Sequence, residues 1–297
     1  MSPAAPRGTL LAAAALLVNA MAWGLSWWPF RQLEGHGLHP LWATTIVYAF
    51  SLACLLAARP GAWRGFARQP LLWLLLAAAG LTNVGFNWAV TVGDVVRVVL
   101  LFYLMPAWTT LLAWPLLGEQ PSLASLLRMA LALAGVVIVL KAPGSPWPVP
   151  ESAADALALM GGFSFALTNI LLRKLNGTPG AARALAMFGG GMLMAGGAAL
   201  LGLAQGAVRL PPAPTPDWVG LAVLLSLAFL AGNLALQYGA ARLSAHGTAL
   251  VLLSEVVWAS ASSVALGAAE LGSRTWLGGS LVLLAALLSA LASDPHG

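Results

Sequence analysis

Charged side chains are scarce in this chain. Only 8% of its 297 residues are Asp, Glu, Lys or Arg, whereas 60% are hydrophobic and the mean hydropathy is +0.87. Soluble domains carry about 25% charged residues, so the composition excludes an ordinary soluble protein and indicates an integral membrane protein. The single cysteine, Cys54, excludes an internal disulfide.

Sequence motifs for ATP hydrolysis and metal binding are also absent. The sequence has no GxxxxGK[ST] loop, no HExxH pair and no His/Cys cluster with metal-ligand spacing. It also lacks the filter loops or rings of charge that an ion channel needs. The net charge of +5 comes from basic residues scattered among short loops, whereas nucleic-acid binders cluster such residues on one face. We therefore expect no ATP motor, no metal, no cofactor and no nucleic-acid partner.

Long apolar runs are what the chain has in abundance. A helix needs about 20 apolar residues to cross a bilayer. Lipid cannot satisfy open backbone groups, so the runs predict an all-α fold. The first run is too long for a signal-peptide core, and we interpret it as a retained span. The sequence predicts ten membrane-spanning helices, at residues 9–30, 40–58, 70–91, 94–117, 123–140, 153–173, 183–204, 216–240, 244–267 and 275–292.

A proline-rich linker divides these spans into two groups of five. Its residues 141–152, KAPGSPWPVPES, contain four prolines, which cannot continue a helix. The halves share a spacing pattern: Asn87 to Gly93 matches Asn233 to Gly239, and Trp108 matches Trp258. We predict one five-helix repeat at 9–140 and a second, inverted repeat at 153–292 around a central cavity, the usual plan of secondary transporters.

The basic residues predict the orientation of the chain. If both termini are cytoplasmic, nine of them lie on the inner side and five on the outer side. The strongest inner clusters are at residues 59–68 and 173–183. We therefore expect a multi-pass protein of the bacterial inner membrane with both termini inside.

Two motifs carry a resemblance to a known superfamily. Pro106 precedes Glu119 by thirteen residues within DVVRVVLLFYLMPAWTTLLAWPLLGEQPS, and the first span contains NAMAWGLSWWPFR. These stretches resemble the drug/metabolite transporter superfamily, in particular its EamA-type ten-helix exporters. Within it, the sequence looks most like the amino-acid exporter branch that includes YddG. The resemblance implies a basket of helices one to four and six to nine around the cavity, with helices five and ten outside. Val256 stands where the second half usually has a proline, so it is open whether both halves bend equally.

Glu255 is the first candidate for function, because it lies about midway along the predicted ninth span. A carboxylate near the bilayer centre is costly unless it is protonated, paired or in water, which marks it as functional by default. We interpret Glu255 as a candidate for proton coupling; the alternative is a protonated acid that holds two helices together. Glu119 and Glu270 lie at helix ends, where a structural role at the next helix start is favoured.

Arg97 and Pro106 lie in the predicted fourth span. Arg97 is one turn inside it and is a candidate ligand for a substrate carboxylate. Pairing with Asp94 or snorkelling to the interface is an equal alternative. Pro106 predicts a hinge in the middle of the span. His246 is expected to anchor its helix rather than to bind metal.

Amide and aromatic side chains inside the spans predict an amphipathic cavity. Buried amides need partners, which a water-filled cavity supplies, and aromatic faces suit apolar groups and cations. The alternatives are amides that tie helices together and tryptophans that form an interfacial belt. The cavity candidates are Asn19, Trp23, Trp27, Asn83, Asn87, Arg97, Tyr103, Trp108, Asn169, Asn233, Gln237, Tyr238, Glu255 and Trp258.

These features predict a secondary transporter rather than an enzyme. It would export small amphipathic metabolites, with amino acids favoured, by alternating access about a midplane site. The alternatives are a multidrug exporter of the same fold, a carrier of phosphorylated or nucleotide sugars, and a membrane-embedded enzyme. The expected partners are a small-molecule substrate, the lipid bilayer and, as the candidate coupling ion, the proton. The chain is expected to be a monomer or a homodimer.

Overall fold

The computed structural model describes residues 6–66, 68–141, 149–240, 242–243, 248, 251–269 and 272–291. All regular structure within these ranges is helical, which confirms the all-α fold class. Eight helical stretches are long and apolar enough to cross a membrane, and the shorter apolar stretch Ser273–Leu288 follows them. The count of ten spans stays a prediction, because residues 244–247 and 249–250 of the ninth lie outside the described ranges.

The helix boundaries follow the predicted spans, with three interruptions. A short 3-10 turn, Ala62–Gly65, lies in the loop between the second and third spans. The described helices are α1 Pro6–Gly24, α2 Trp27–Gly35, α3 Pro40–Ala58, α4 Leu71–Val92, α5 Val95–Phe102, α6 Met105–Leu117, α7 Leu123–Leu140, α8 Ala153–Lys174, α9 Gly180–Ala204, α10 Pro216–Ala240, α11 Ser254–Ala265 and α12 Ser273–Leu291.

The first and fourth predicted spans are each divided into two helices. A proline has no backbone N–H and cannot bond the carbonyl oxygen four residues before it. Pro29 leaves the carbonyl of Leu25 without that bond, and the chain turns at residues 25–26. Pro106 does the same for Phe102, and the turn falls at residues 103–104. The interruption therefore lies just before Pro106, which is in the first turn of α6.

The ninth span is interrupted at the matching place without a proline. Residues 251–252 are helical, Leu253 forms a turn and α11 begins at Ser254. The N–H of Val256 bonds the carbonyl oxygen of Leu253, three residues back, at 3.2 Å. Since Trp258 matches Trp108 in the predicted repeat, the interruptions before α6 and α11 are counterparts, although only one has a proline.

Close helix approaches depend on glycine. A Cβ atom at Gly190 of α9 would overlap the carbonyl oxygen of Leu76 in α4. Helices α7 and α12, the predicted outer scaffold, cross where a Cβ at Gly135 would lie 2.6 Å from the carbonyl oxygen of Gly278. The fifth and tenth predicted spans, which are α7 and α12, therefore pack directly on each other.

Side chains of the first span bond to the eighth and ninth spans. Asn19 donates from Nδ2 to the carbonyl oxygen of Gly232 at 2.9 Å. Trp27 donates from Nε1 to the hydroxyl oxygen of Ser262 at 2.9 Å. Arg31 donates to the carbonyl oxygens of three residues, Val90, Gly93 and Ala268. The first span is thus bonded to late spans along most of its length.

Contacts between distant loops define two ends of the helix bundle. At one end Arg274 donates to the carbonyl oxygen of Lys141. At the other end Arg173 forms an ion pair with Glu119 at 2.6 Å. We call these the outer and inner ends, following the predicted orientation, which itself stays a prediction. The basic clusters at 59–68 and 173–183 share the inner end, as their predicted sidedness requires.

Candidate functional site

The three interrupted spans meet at Glu255, the first at its backbone and the fourth at its side chain. Gly24 is the last residue of α1, and a Cβ atom there would lie 2.6 Å from the carbonyl oxygen of Glu255 and 2.8 Å from Cβ of Trp258. Only glycine allows this approach. Tyr103, in the turn between α5 and α6, forms a side-chain hydrogen bond with Glu255. We call Gly24, Tyr103 and Glu255 the break cluster.

The carboxyl group of Glu255 has a polar but uncharged surrounding. Within the described residues, no arginine, lysine or histidine forms an ion pair with it. The phenol of Tyr103, which is buried, is its side-chain partner. The neighbouring hydroxyl of Ser254 is buried, and no described residue hydrogen-bonds it. A carboxyl group in a membrane span without a counter-ion has the character of a substrate or proton site.

Trp108 presents a hydrogen-bond donor that no described residue accepts. It lies in α6, packs against the same hydrophobic core as Tyr103 and Val256, and stands edge-on to Phe163 with ring centroids 5.6 Å apart. Its indole N–H is buried and has no partner among the described residues. Such groups are rare in native proteins, so the donor is available to a bound molecule or water.

Aromatic rings form a series of packed contacts that leads to the break cluster. Trp23 stacks on Phe229 with ring centroids 4.5 Å apart and an interplanar angle of 23°. Its edge contacts Phe86 at 6.1 Å, and Phe86 contacts Phe102 at 4.8 Å. Phe102 directly precedes Tyr103. The arrangement combines one acid with several apolar aromatic faces.

Arg97 is engaged in a different place, at the outer end. Its Nε and Nη2 atoms donate to the two carboxylate oxygens of Asp155 at 2.8 and 2.9 Å. Nη1 donates to the carbonyl oxygen of Val139 at 2.8 Å. Nη2 also lies 3.2 Å from Oε2 of Glu151. Asp94, the partner considered from the sequence, accepts the backbone N–H of Arg97 instead. We call Arg97 with Asp155 the outer clasp and leave Arg97 out of the candidate site.

The sequence did contain a signal for Asp155. Ser152 caps α8, and its hydroxyl accepts the N–H of Asp155 at 3.2 Å. A serine followed three residues later by an acid marks a helix start. That signal places a carboxylate at the outer end, where Arg97 was expected to lie.

Three of the six predicted amides tie helices together. Asn19 bonds α10, as described above. Asn83 accepts from the hydroxyl of Tyr48 and donates to the carbonyl oxygen of Ala79. Asn87 donates to the hydroxyl of Thr44 at 3.2 Å, but its own oxygen is buried and no described residue donates to it. Asn87 is therefore the amide that retains an unused acceptor.

The structure shows fewer contacts for the remaining candidates. Asn169 and Asn233 are half-buried. Tyr238 lies under the guanidinium of Arg242, 3.7 Å from its carbon. The side chain of Gln237, together with His246 and Glu270, lies outside the described residues. Glu119 pairs with Arg173, while Ser122 caps the next helix. The described contact of Glu119 is thus an ion pair and not the start of the next helix; its structural role stays a prediction.

A family model matches part of the chain. Residues 10–141 are similar to the EamA-like transporter family. We call these residues the EamA-like half, and they include Gly24, Tyr103 and Trp108. No curated protein matches the chain.

A solved crystal structure extends the likeness to the whole fold. That protein is 19% identical to this chain, and the alignment covers 95% of each chain with a TM-score of 0.55. At this identity the likeness shows the shared fold alone. The second half, which contributes Glu255, therefore shares the fold of a solved protein.

Proposed function

We propose that the chain is a secondary transporter whose substrate site lies at the break cluster. One observation carries this proposal: interrupted spans from both predicted repeats converge on Glu255, whose carboxyl group interacts with Tyr103 of the fourth span. Interrupted helices form the substrate and ion sites of many transporters, because their open ends present polar groups at the midplane. The family match of the EamA-like half supports a transporter, and the boundaries of that match, 10–141, support the predicted first repeat at 9–140.

The chemistry of the site favours a small molecule with a cationic amine and an apolar side chain. The amine would bind the carboxylate of Glu255 and the faces of Trp23 and Trp108. An acceptor group of the same molecule would take the free indole N–H of Trp108. Amino acids, including aromatic ones, combine these features. We propose their export across the bacterial inner membrane by alternating access.

Proton coupling follows from the same carboxyl group. Glu255 can hold either a proton or the amine of the substrate, since no described cation occupies it. Competition between the two would couple substrate movement to a proton gradient. Glu255 is therefore our proposed coupling residue.

An exporter of cationic drugs is the second candidate, because one acid among aromatic faces also binds larger amphipathic cations. A carrier of phosphorylated sugars has less support. Arg97 is held by Asp155, and Arg31 is held by three carbonyl oxygens. Neither guanidinium is free to bind a phosphate in the centre.

The test is counterflow of a radiolabelled amino-acid panel in proteoliposomes, with and without a pH gradient. We expect saturable uptake of a few amino acids by the wild-type chain. Glu255→Gln should abolish the effect of the gradient. Glu119→Gln is the matched control, because it removes a carboxylate whose partner is Arg173 at the inner end.

Three outcomes separate the alternatives. An unchanged gradient effect in Glu255→Gln removes Glu255 from coupling. Uptake of cationic dyes without uptake of amino acids favours a drug exporter. Product formation in detergent, without any gradient, would expose a membrane-embedded enzyme.

A further inference from the structure

A pocket of ≈ 500 Å³ opens at the inner end of the bundle, away from the break cluster. One wall is formed by residues 58–69, in the loop between α3 and α4. The other wall is formed by residues 177–182, in the loop before α9 and its first turn. The pocket therefore lies between a loop of the first predicted repeat and a loop of the second.

Three arginines without partners line this pocket: Arg59, Arg64 and Arg68. Each is exposed, and none of their guanidinium groups is in a hydrogen bond or ion pair among the described residues. No acidic residue lines the pocket. Arg183 adjoins it in sequence, and its Nε atom is buried without a described partner. This concentration of unpaired positive charge contrasts with Arg97 and Arg173, which are both in ion pairs.

The start of α9 adds to the positive potential of the pocket. This helix has 25 residues and begins at Gly180, after a proline that supplies no side-chain cap. The N–H of Ala182 bonds the carbonyl oxygen of Pro179 at 3.0 Å, while those of Gly180 and Ala181 have no backbone acceptor among the described residues. The helix dipole favours a negative charge at this end. Ala181 and Ala182 of this first turn belong to the pocket wall.

Exposed tryptophans set the depth of the pocket in the bilayer. Trp63, in the 3-10 turn, is 60% exposed, and Trp73, in the first turn of α4, is 59% exposed. Phe66 stands edge-on to Trp73 at 4.8 Å. In membrane proteins, exposed tryptophans at span ends lie at the level of the lipid headgroups. The three arginines share that segment of chain, so they lie at headgroup depth as well.

We propose that this pocket binds the phosphate of an anionic lipid headgroup. Basic pockets between membrane helices recognise such headgroups, and exposed apolar residues of α4, such as Leu74, offer a surface for the acyl chains. The charge bias of cytoplasmic loops explains the sign of these residues. It does not explain why they line one concave pocket between the two repeats. A soluble phosphate shares the chemistry but gains nothing from the tryptophans.

Native mass spectrometry of the full chain in detergent tests this proposal. The protein is titrated with phosphatidylglycerol and, separately, with phosphatidylcholine. Each basic residue near an anionic headgroup contributes about fivefold in affinity. We therefore expect the triple variant Arg59→Gln/Arg64→Gln/Arg68→Gln to bind phosphatidylglycerol about 100-fold more weakly. Arg68→Gln alone should lose about fivefold.

The control variant Arg128→Gln/Arg209→Gln/Arg274→Gln removes the same charge elsewhere and should bind as the wild type does. Undiminished phosphatidylglycerol binding by the pocket variant would overturn the proposal, as would equal binding of phosphatidylcholine. If inorganic phosphate displaces the lipid at equal concentration, the pocket binds phosphate without regard to the lipid, and the proposal of a lipid ligand is overturned. Because the three pocket arginines are exposed, the variant should fold, and the single variant gives a second measurement.

Discussion

Two charged residues of predicted spans, Arg97 and Glu255, have opposite surroundings. Arg97 faces a carboxylate with two matched oxygens, a second acid and a carbonyl oxygen. Glu255 faces a phenol and, among the described residues, no opposite charge. The first arrangement engages four of the five guanidinium N–H groups in contacts with Asp155, Glu151 and Val139. The second leaves a carboxyl group able to exchange one partner for another.

The difference distinguishes a paired charge from a carboxyl group without a described counter-ion in one molecule. The outer clasp lies where helices α5, α7 and α8 end or begin, and it satisfies three elements at once. The break cluster lies where spans are interrupted, and the neighbouring hydroxyl of Ser254 has no described hydrogen-bond partner. Each prediction below tests whether that distinction holds.

The largest effect should follow from breaking the outer clasp. Arg97→Gln leaves Asp155, whose side chain is 3% exposed, without its counter-ion. Removing one partner of a buried pair costs about 3–5 kcal/mol of unfolding free energy. The measurement is denaturant unfolding in detergent. The double variant Arg97→Gln/Asp155→Asn should recover part of the loss, because no charge is then left unpaired.

The structural interpretation of Arg97 is contradicted if Arg97→Gln keeps its stability and instead raises the KM for substrate. That result would make Arg97 a substrate ligand and the clasp incidental.

A smaller effect should follow from separating the first and ninth spans. Gly24→Ala places a methyl group against the carbonyl oxygen of Glu255, and overpacking of this kind costs about 1–3 kcal/mol. Gly197→Ala is the control, because no neighbour lies within 4 Å of its Cβ position. That change should stabilise α9 by about 0.5–1 kcal/mol. Thermal unfolding of both variants checks this, and equal shifts would contradict the close approach.

Two tryptophans extend this comparison to uncharged hydrogen-bond donors. Trp27→Phe removes a donor that Ser262 accepts, so stability should fall by about 1 kcal/mol with KM unchanged. Trp108→Phe removes a donor without a described partner. Stability should hold, while KM rises about two- to tenfold if the substrate accepts that N–H. The reverse pattern would remove Trp108 from the proposed site.

The smallest effect concerns pH and His39, which caps α3. Its Nδ1 accepts the N–H of Leu41 at 3.2 Å, and burial lowers the pKa of the imidazole. The folded chain therefore favours neutral His39. Its contribution is complete above about pH 6.5, the unfolded value, and is lost as the pH falls toward the lower folded value.

We expect a loss of less than about 1 kcal/mol in the wild type. His39→Asn should lack this dependence, since asparagine caps the helix without titrating. Measuring unfolding and transport over the same pH range separates this effect on folding from any effect of Glu255 on coupling. A pH-independent wild type would contradict the buried neutral cap.

Local sequence patterns predicted more of the fold than of the candidate site. Apolar length predicted the spans, and Pro106 predicted an interruption within two or three residues. Pro29 is the corresponding signal in the first span, but the apolar run around it predicts one continuous helix. The interruption before α11 has no proline, so no local signal marks it.

The site depends on contacts that no single segment contains. Glu255 stands out by depth alone, yet its pairing with Tyr103 and its contact with Gly24 arise only when three spans pack together. Arg97 was ambiguous for the same reason. Its counter-ion lies across the proline-rich linker, and distance in sequence says nothing of their distance in space.

The bonds of the first span have a consequence for how the chain is made. Asn19 bonds to Gly232, which is 213 residues further along the chain, and Trp27 and Arg31 bond to residues still later. At about 5–20 residues per second, synthesis needs roughly 10–40 s to cover that interval. During this time the first helix lies in the bilayer, or in the insertion machinery, with the amide of Asn19 and the indole N–H of Trp27 without these partners. Truncated or stalled chains would display these polar groups to lipid, which offers quality-control proteases a means of telling incomplete molecules from finished ones.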